Sequence, residues 1–98
     1  MPVHYKFRIP EYLVQFVRGL HPQIKRKLRV SLKAIASDPY SGKPLKDELD
    51  GLRSFRVSKF RIIYAIASKK EIQIIAVGPR KHIYEETYRI IRKETQGG

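Results

Sequence analysis

Apolar residues recur along this chain in two different rhythms. Between residues 12 and 35 they come every three or four positions: Tyr12, Leu13, Phe16, Val17 and Leu20, then Ile24, Leu28, Leu32 and Ile35. That spacing puts them on one face of a helix. Pro10 stands where a helix begins, since its missing N–H has no partner there anyway. Gly19 weakens the first helix, and His21-Pro22 breaks it. A second helix is predicted from Pro22 to Ser37, with Arg26, Arg29 and Lys33 opposite its apolar stripe, and Asp38-Pro39 ends it. The two helices should form an antiparallel hairpin packed on a sheet.

The second rhythm is denser. "FRIIYAIA" (60–67) and "EIQIIAV" (71–77) are nearly continuous apolar runs, the pattern of covered strands. Lys69-Lys70 sits at the tip of a tight hairpin between them. "LRSFRVS" (52–58) reads as the strand before, and Val3–Ile9 as a first strand. "PYSGKPLKDELDG" (39–51) is loop-like, punctuated by Pro and Gly. After Gly78-Pro79 a final helix runs from about Lys81 to Lys93, with a stripe of Ile83, Thr87, Ile90 and Ile91. The order is β-α-α-β-β-β-α. It describes an α+β domain: a small, mostly antiparallel sheet, a helical hairpin on one face and a C-terminal helix. The two apolar strands should be central and covered by the helices on one face. One domain over residues 1–96 is expected, with Gly97-Gly98 as a disordered tail.

Composition narrows the function. The 98 residues include no Cys, so neither disulfides nor thiolate metal sites exist. The N-terminal MPVHYKFRIPEY lacks the apolar core of a secretory signal, and no apolar run is long enough to span a membrane. A cytoplasmic location is the expectation. The charge is +12, from 21 Lys and Arg against 9 Asp and Glu. No acid occurs from Tyr12 to Ser37, which holds Arg18, Lys25, Arg26, Lys27, Arg29 and Lys33. None occurs from Gly51 to Lys70, which holds Arg53, Arg56, Lys59, Arg61, Lys69 and Lys70. Such a field suits a polyanion: RNA, DNA, an anionic membrane or an acidic protein, beyond what solubility alone requires.

Within that field some cations are placed for chemistry. In an extended strand Ser54, Arg56 and Ser58 share one face, and Phe55 and Val57 the other. Arg61 interrupts an apolar run, where burying a cation is costly unless an anion or water reaches it. A regular hairpin brings Arg80 beside Arg61. Converging guanidinium forks match phosphate oxygens. The plainer reading of these arginines is a solvated face or structural ion pairs. Tyr84 reads equally as an amphipathic core residue, and His82 as a surface histidine at a helix start. His4, His21 and His82 have no metal-ligand spacing, and no phosphate-cradling Gly loop is present. What such residues can do without a metal is RNA cleavage through the 2′-hydroxyl. That needs a base, cations for the transition state and a proton for the leaving oxygen.

Residues 43–86, "KPLKDELDGLRSFRVSKFRIIYAIASKKEIQIIAVGPRKHIYEE", resemble the RelE/ParE superfamily of toxins of type II toxin–antitoxin systems. The shared order is K-x-L, a Gly-Leu before an R-V strand, Y-R-I-I-Y (here F-R-I-I-Y), an apolar strand and G-x-R-x-x-x-Y. RelE-like members are ribosome-dependent mRNA endonucleases, whereas ParE-like members poison DNA gyrase and lack the cleaving residues. The resemblance implies a phosphate-binding Arg61 and an Arg80 that stabilises the transition state and leaving group. It implies a Tyr84 that stacks on or activates the nucleotide, and an Arg56 near a position where RelE carries an assisting Lys. Ser58 stands where a second Lys would be, a departure that Lys59 only partly offsets. His82 is similar to the acid–base His of YoeB-like relatives, with Ile83 inserted before the Tyr. The expected activity is metal-free mRNA cleavage on the ribosome that leaves a cyclic phosphate and inhibits translation. The alternative is a gyrase inhibitor or a binding-only member. No cofactor is expected. The expected partners are the ribosome and mRNA, gripped through Lys25, Arg26, Arg29, Lys33, Arg53 and Lys59, and an acidic RelB-like antitoxin.

Overall fold

In the computed structural model, which describes residues 5–96, the segments predicted to be helical form α1 (Glu11–Arg18), α2 (Pro22–Ser37) and α3 (Ile83–Gln96). His21 does more than break the chain: it is the N-cap of α2, and its Nδ1 accepts a hydrogen bond from the Gln23 backbone N–H at 3.1 Å. Pro22 occupies the first helical position, where no N–H is needed. Asp38 closes α2 and at once caps a 3-10 turn over Pro39–Ser41 by accepting from the Tyr40 N–H.

Five strands form one sheet: β1 (Lys6–Arg8), β2 (Lys43–Pro44), β3 (Arg53–Val57), β4 (Phe60–Ser68) and β5 (Glu71–Pro79), in the order β1-β5-β4-β3-β2. β1 runs parallel to β5, and every other pair is antiparallel. The strand expected over Val3–Ile9 is confined to Lys6–Arg8, and His4 lies outside the described residues, as do Gly97 and Gly98. The segment 39–51 differs from the expected loop. It holds the two-residue β2, paired with β3, and a second 3-10 turn over Asp47–Leu49.

The expectation that helices cover the sheet on one face is corrected by the structure: both faces are covered. On one, Leu13, Leu28 and Ile35 of α1 and α2 pack against Val57, Ile62, Tyr64, Ile72 and Ile74. On the other, Ile83 of α3 packs against Leu52, Ile63, Ile75 and Ala76, with Tyr84, Ile90 and Ile91 around them. This two-sided burial is why β4 and β5 lack polar alternation. Each fully buried isoleucine stabilises the fold by roughly 1.5–3 kcal/mol. A bulge adjusts the second face. Ile63 pairs with Ala76 but Tyr64 with Ile74, so Ile75 is the extra residue in β5. Ile75 and Ala76 thus both serve the α3 side, and the hydroxyl of Tyr12 donates to the Ile75 carbonyl.

Tyr64 ties the loop to the sheet. Its side chain is fully buried. Its hydroxyl donates to the Pro39 carbonyl at 2.6 Å and accepts from the Gly42 N–H at 3.0 Å. A Cβ on Gly42 would overlap that hydroxyl, so only glycine fits here.

Candidate functional site

The face of the sheet under α3 carries the arginines. Strand pairing sets Arg61 of β4 directly opposite Arg56 of β3 and Gly78 of β5, so all three project to the same side. Ser54, two residues before Arg56, shares that face. It is 2% exposed, and its Oγ accepts from Arg61 NH1 at 3.1 Å. The first turn of α3 brings the hydroxyl of Tyr84 to 3.2 Å from the same Oγ. The Arg61 guanidinium carbon stands 6.0 Å from the Tyr84 ring centroid. Arg61, Ser54 and Tyr84 therefore form one connected cluster, buried on the sheet side. Arg61 Nε is buried without a hydrogen-bond partner.

Two glycine and turn features keep this geometry. Gly78 lets α3 approach closely: a Cβ there would stand 3.1 Å from Ile83 Cδ1. Ser58 adopts φ 58 in the turn Ser58-Lys59, and the Arg56 Nε points back to the Ser58 carbonyl at 3.5 Å. Ser58 and Lys59 are exposed turn residues, not a strand pair of opposite faces.

Arg80 is not the neighbour of Arg61 that a regular hairpin suggests. The register gives that place to Gly78: the hairpin turns at Lys69-Lys70 with Ser68 opposite Glu71, and the two register shifts between there and Arg61 cancel. Arg80 lies two residues further on, exposed, with its N–H donating to the Lys59 carbonyl at 3.0 Å. His82 is also exposed. It precedes α3, and its carbonyl accepts from the Glu86 N–H at 3.0 Å. Arg56, opposite Arg61, is exposed, as are Lys59, Arg80 and His82 in the turns that follow β3 and β5, whereas Arg61 and Tyr84 are part-buried.

Among the described residues the ion pairs are Arg8–Glu71 and Arg89–Glu85. Neither involves Arg56, Arg61 or Arg80, so these cations do not stand as structural salt bridges. No group of three His, Asp or Glu side chains that could hold a metal ion occurs among the described residues. No helix among them is long and apolar enough to cross a membrane.

The other basic residues are placed elsewhere. Arg53 projects to the opposite face. It donates to the Tyr40 carbonyl at 3.1 Å and the Gly42 carbonyl at 2.7 Å, and it stacks on the Tyr40 ring at 4.9 Å. It anchors the loop beside Tyr64. Arg26, Arg29 and Lys33 are exposed on α2, across the sheet from Arg61. Lys25 and Arg29, with Arg18, rim a groove of about 320 Å³ between α1 and α2, floored by Leu13, Leu28 and Ile62. Ser54 is the site residue that sequence reasoning passed over. Its one signal was the period-two register it shares with Arg56.

Residues 6–84 match the family model described as the ParE toxin of the parDE type II toxin–antitoxin system. Among solved structures, the toxin–antitoxin complex RelBE2 of Mycobacterium tuberculosis is similar at 27% identity and TM-score 0.69, over 80% of this chain and 100% of that one. A free-state mutant of the Escherichia coli toxin RelE is similar in fold, with TM-score 0.72, 22% identity and coverage of 94% and 98%. The archaeal RelE–RelB complex of Pyrococcus horikoshii is so too, with TM-score 0.64, 21% identity and coverage of 80% and 97%. No curated protein gives a significant match. The ordered motifs over residues 43–86, the sheet topology and the family match all agree: the chain belongs to the RelE/ParE superfamily and is a toxin of a type II toxin–antitoxin system.

Proposed function

We propose that this toxin is a ribosome-dependent endoribonuclease that cleaves mRNA and so inhibits translation. The observation that carries the reading is the Arg61–Ser54–Tyr84 cluster, with Arg56 opposite Arg61 on the same face and, among the described residues, no carboxylate paired to either arginine. Cations held in place without internal counter-ions are suited to an anion whose charge grows in the transition state. In the reaction the RNA 2′-oxygen bonds to phosphorus and the bond from phosphorus to the 5′-oxygen breaks, leaving a 2′,3′-cyclic phosphate. A base takes the 2′-hydroxyl proton, and the departing 5′-oxygen receives one. Arg61 and Arg56 hold the phosphate, Arg80 meets the developing charge from the solvent side, and Tyr84 stacks on or activates the nucleotide. His82, exposed at the start of α3, is the candidate for proton transfer. Arg26 and Lys33 of α2, with Lys59, grip ribosomal RNA through its phosphates.

The partner that silences the toxin is an acidic antitoxin segment. The α1–α2 groove supports this, because its floor is apolar and its rim is Arg18, Lys25 and Arg29. An amphipathic helix with acidic flanks fits such a surface. The second reading, a non-nuclease toxin acting on DNA gyrase, is favoured by the family description, which names ParE.

The test is a translating ribosome with a defined mRNA, cut ends mapped by primer extension, beside a gyrase supercoiling assay. Cuts confined to ribosome-bound mRNA are expected, and Arg61→Ala and Arg80→Ala should each lower cleavage by at least about tenfold. Inhibition of supercoiling with no cut mRNA would replace the nuclease reading with the gyrase one.

A further inference from the structure

We propose that Ser54 is a positioning residue, whose hydroxyl proton is directed at the Tyr84 oxygen and whose lone pair holds the Arg61 guanidinium. Its consequence for catalysis rests on the nuclease reading above, but the contact itself does not. The direction of these bonds follows from a count of donors. A serine hydroxyl has one proton and two acceptor sites. Arg61 can only donate, so one acceptor site is taken by its NH1 at 3.1 Å. The Ser54–Tyr84 contact at 3.2 Å runs in either direction on distance alone. If Tyr84 donated, Ser54 would accept twice and its own proton would have no acceptor. Ser54 is 2% exposed, and its side chain has no third partner among the described residues. A buried donor without an acceptor is costly, so the arrangement that satisfies all groups has Ser54 donating to Tyr84.

The three groups then point one way: guanidinium N–H to serine oxygen, serine O–H to phenol oxygen, phenol O–H outward. A guanidinium drawing on the serine oxygen makes its proton a better donor, and such chains strengthen one another. The phenolic proton is left for a ligand oxygen rather than spent inside the protein. Ser54 also fixes which edge of Arg61 stays unused. NH1 is occupied, while Nε, buried from solvent, keeps an N–H that nothing among the described residues accepts. Ser54 touches no substrate here. It acts through Tyr84 and Arg61.

The test uses the full-length protein, Ser54→Ala, Tyr84→Phe and the double variant. Without RNA, protein labelled with 13Cζ-tyrosine is observed by NMR, and the Tyr84 signal is identified by its loss in Tyr84→Phe. The Tyr84 signal should shift in Ser54→Ala while the other tyrosine signals stay in place. In single-turnover cleavage on ribosomes, Ser54→Ala should slow the chemical step roughly tenfold with less than about twofold change in apparent KM. The double variant should be no slower than Tyr84→Phe alone, because the two act as a unit. An unmoved Tyr84 signal would overturn the proposal, and so would rate losses that multiply in the double variant. A shifted Tyr84 signal in a protein whose wild type cuts no mRNA would support the Ser54 contact and sink the nuclease reading instead.

Discussion

Replacing Tyr64 by Phe removes one oxygen, and the structure says what that oxygen holds. The residue is fully buried, and Pro39 and Gly42 beside it are buried too. Its hydroxyl is the acceptor for the Gly42 N–H and the donor to the Pro39 carbonyl. Phe fills the same space but leaves both backbone groups without a partner. Each such group costs about 1–3 kcal/mol when water cannot reach it. The better fit of Phe to an apolar site offsets part of this, so a net loss of roughly 2–4 kcal/mol is expected. A domain of this size has about 5–15 kcal/mol in all. The corresponding fall in Tm is on the order of 10–25 °C. Urea titration followed by circular dichroism measures the loss directly, with the slope against urea checked for constancy. Cleavage at a temperature where both proteins are folded should be unchanged, because Tyr64 packs on the α1–α2 side and Arg61 projects to the other. A loss below about 0.5 kcal/mol would mean that the two backbone groups find other partners, and the latch would not exist. A folded variant that no longer cleaves would show that the second aromatic of F-R-I-I-Y belongs to the site.

Alkaline pH tests the same group from another side. Burial pushes the Tyr64 phenol above its ordinary value of 10.0, so the folded protein favours the neutral form. Its contribution is therefore intact below pH 10.0 and is lost as pH climbs through the higher folded value. Tyr64→Phe should lose less stability than the wild type over that alkaline range, and parallel curves would contradict it. Gly78→Ala puts a Cβ 3.1 Å from the fully buried Ile83, so the first turn of α3 must give way. A stability loss of about 1–3 kcal/mol is expected, with slower cleavage because Tyr84 adjoins Ile83. Wild-type values for both would refute the claim that this close approach sets the site.

Local chemistry made much of the fold legible. Pro22 and Asp38-Pro39 bracket α2 as their backbone limits require, and the apolar runs of β4 and β5 mark the sheet's centre. What stayed hidden depends on pairing across the chain. β2 is two residues long and exists only because Lys43 and Pro44 meet Ser54 and Arg53. The parallel contact of β1 with β5 joins segments more than 60 residues apart and leaves no local trace. The extra residue at Ile75 looks like any other isoleucine in an apolar run, yet it lets both Ile75 and Ala76 serve the α3 side. The site was half legible. Arg61 announced itself as a cation among apolar residues, and Arg56 by its register. Ser54 is small and neutral, and its value comes only from the two partners that α3 and β4 bring to it. Arg53 looked like its neighbours in the basic field but is occupied by two loop carbonyls.

The arginines without carboxylate partners have a thermodynamic consequence for the free protein. A chain at +12 in which Arg56, Arg61 and Arg80 make no ion pair among the described residues keeps its shape against its own repulsion. Part of its conformational free energy is held in reserve as unscreened field. Any polyanion that seats on that face releases the reserve, and by mass action it also deepens the folded basin. Folding and recognition are in this sense one equilibrium. The toxin is least secure when alone, and it becomes more durable in the company of whatever supplies the negative charge.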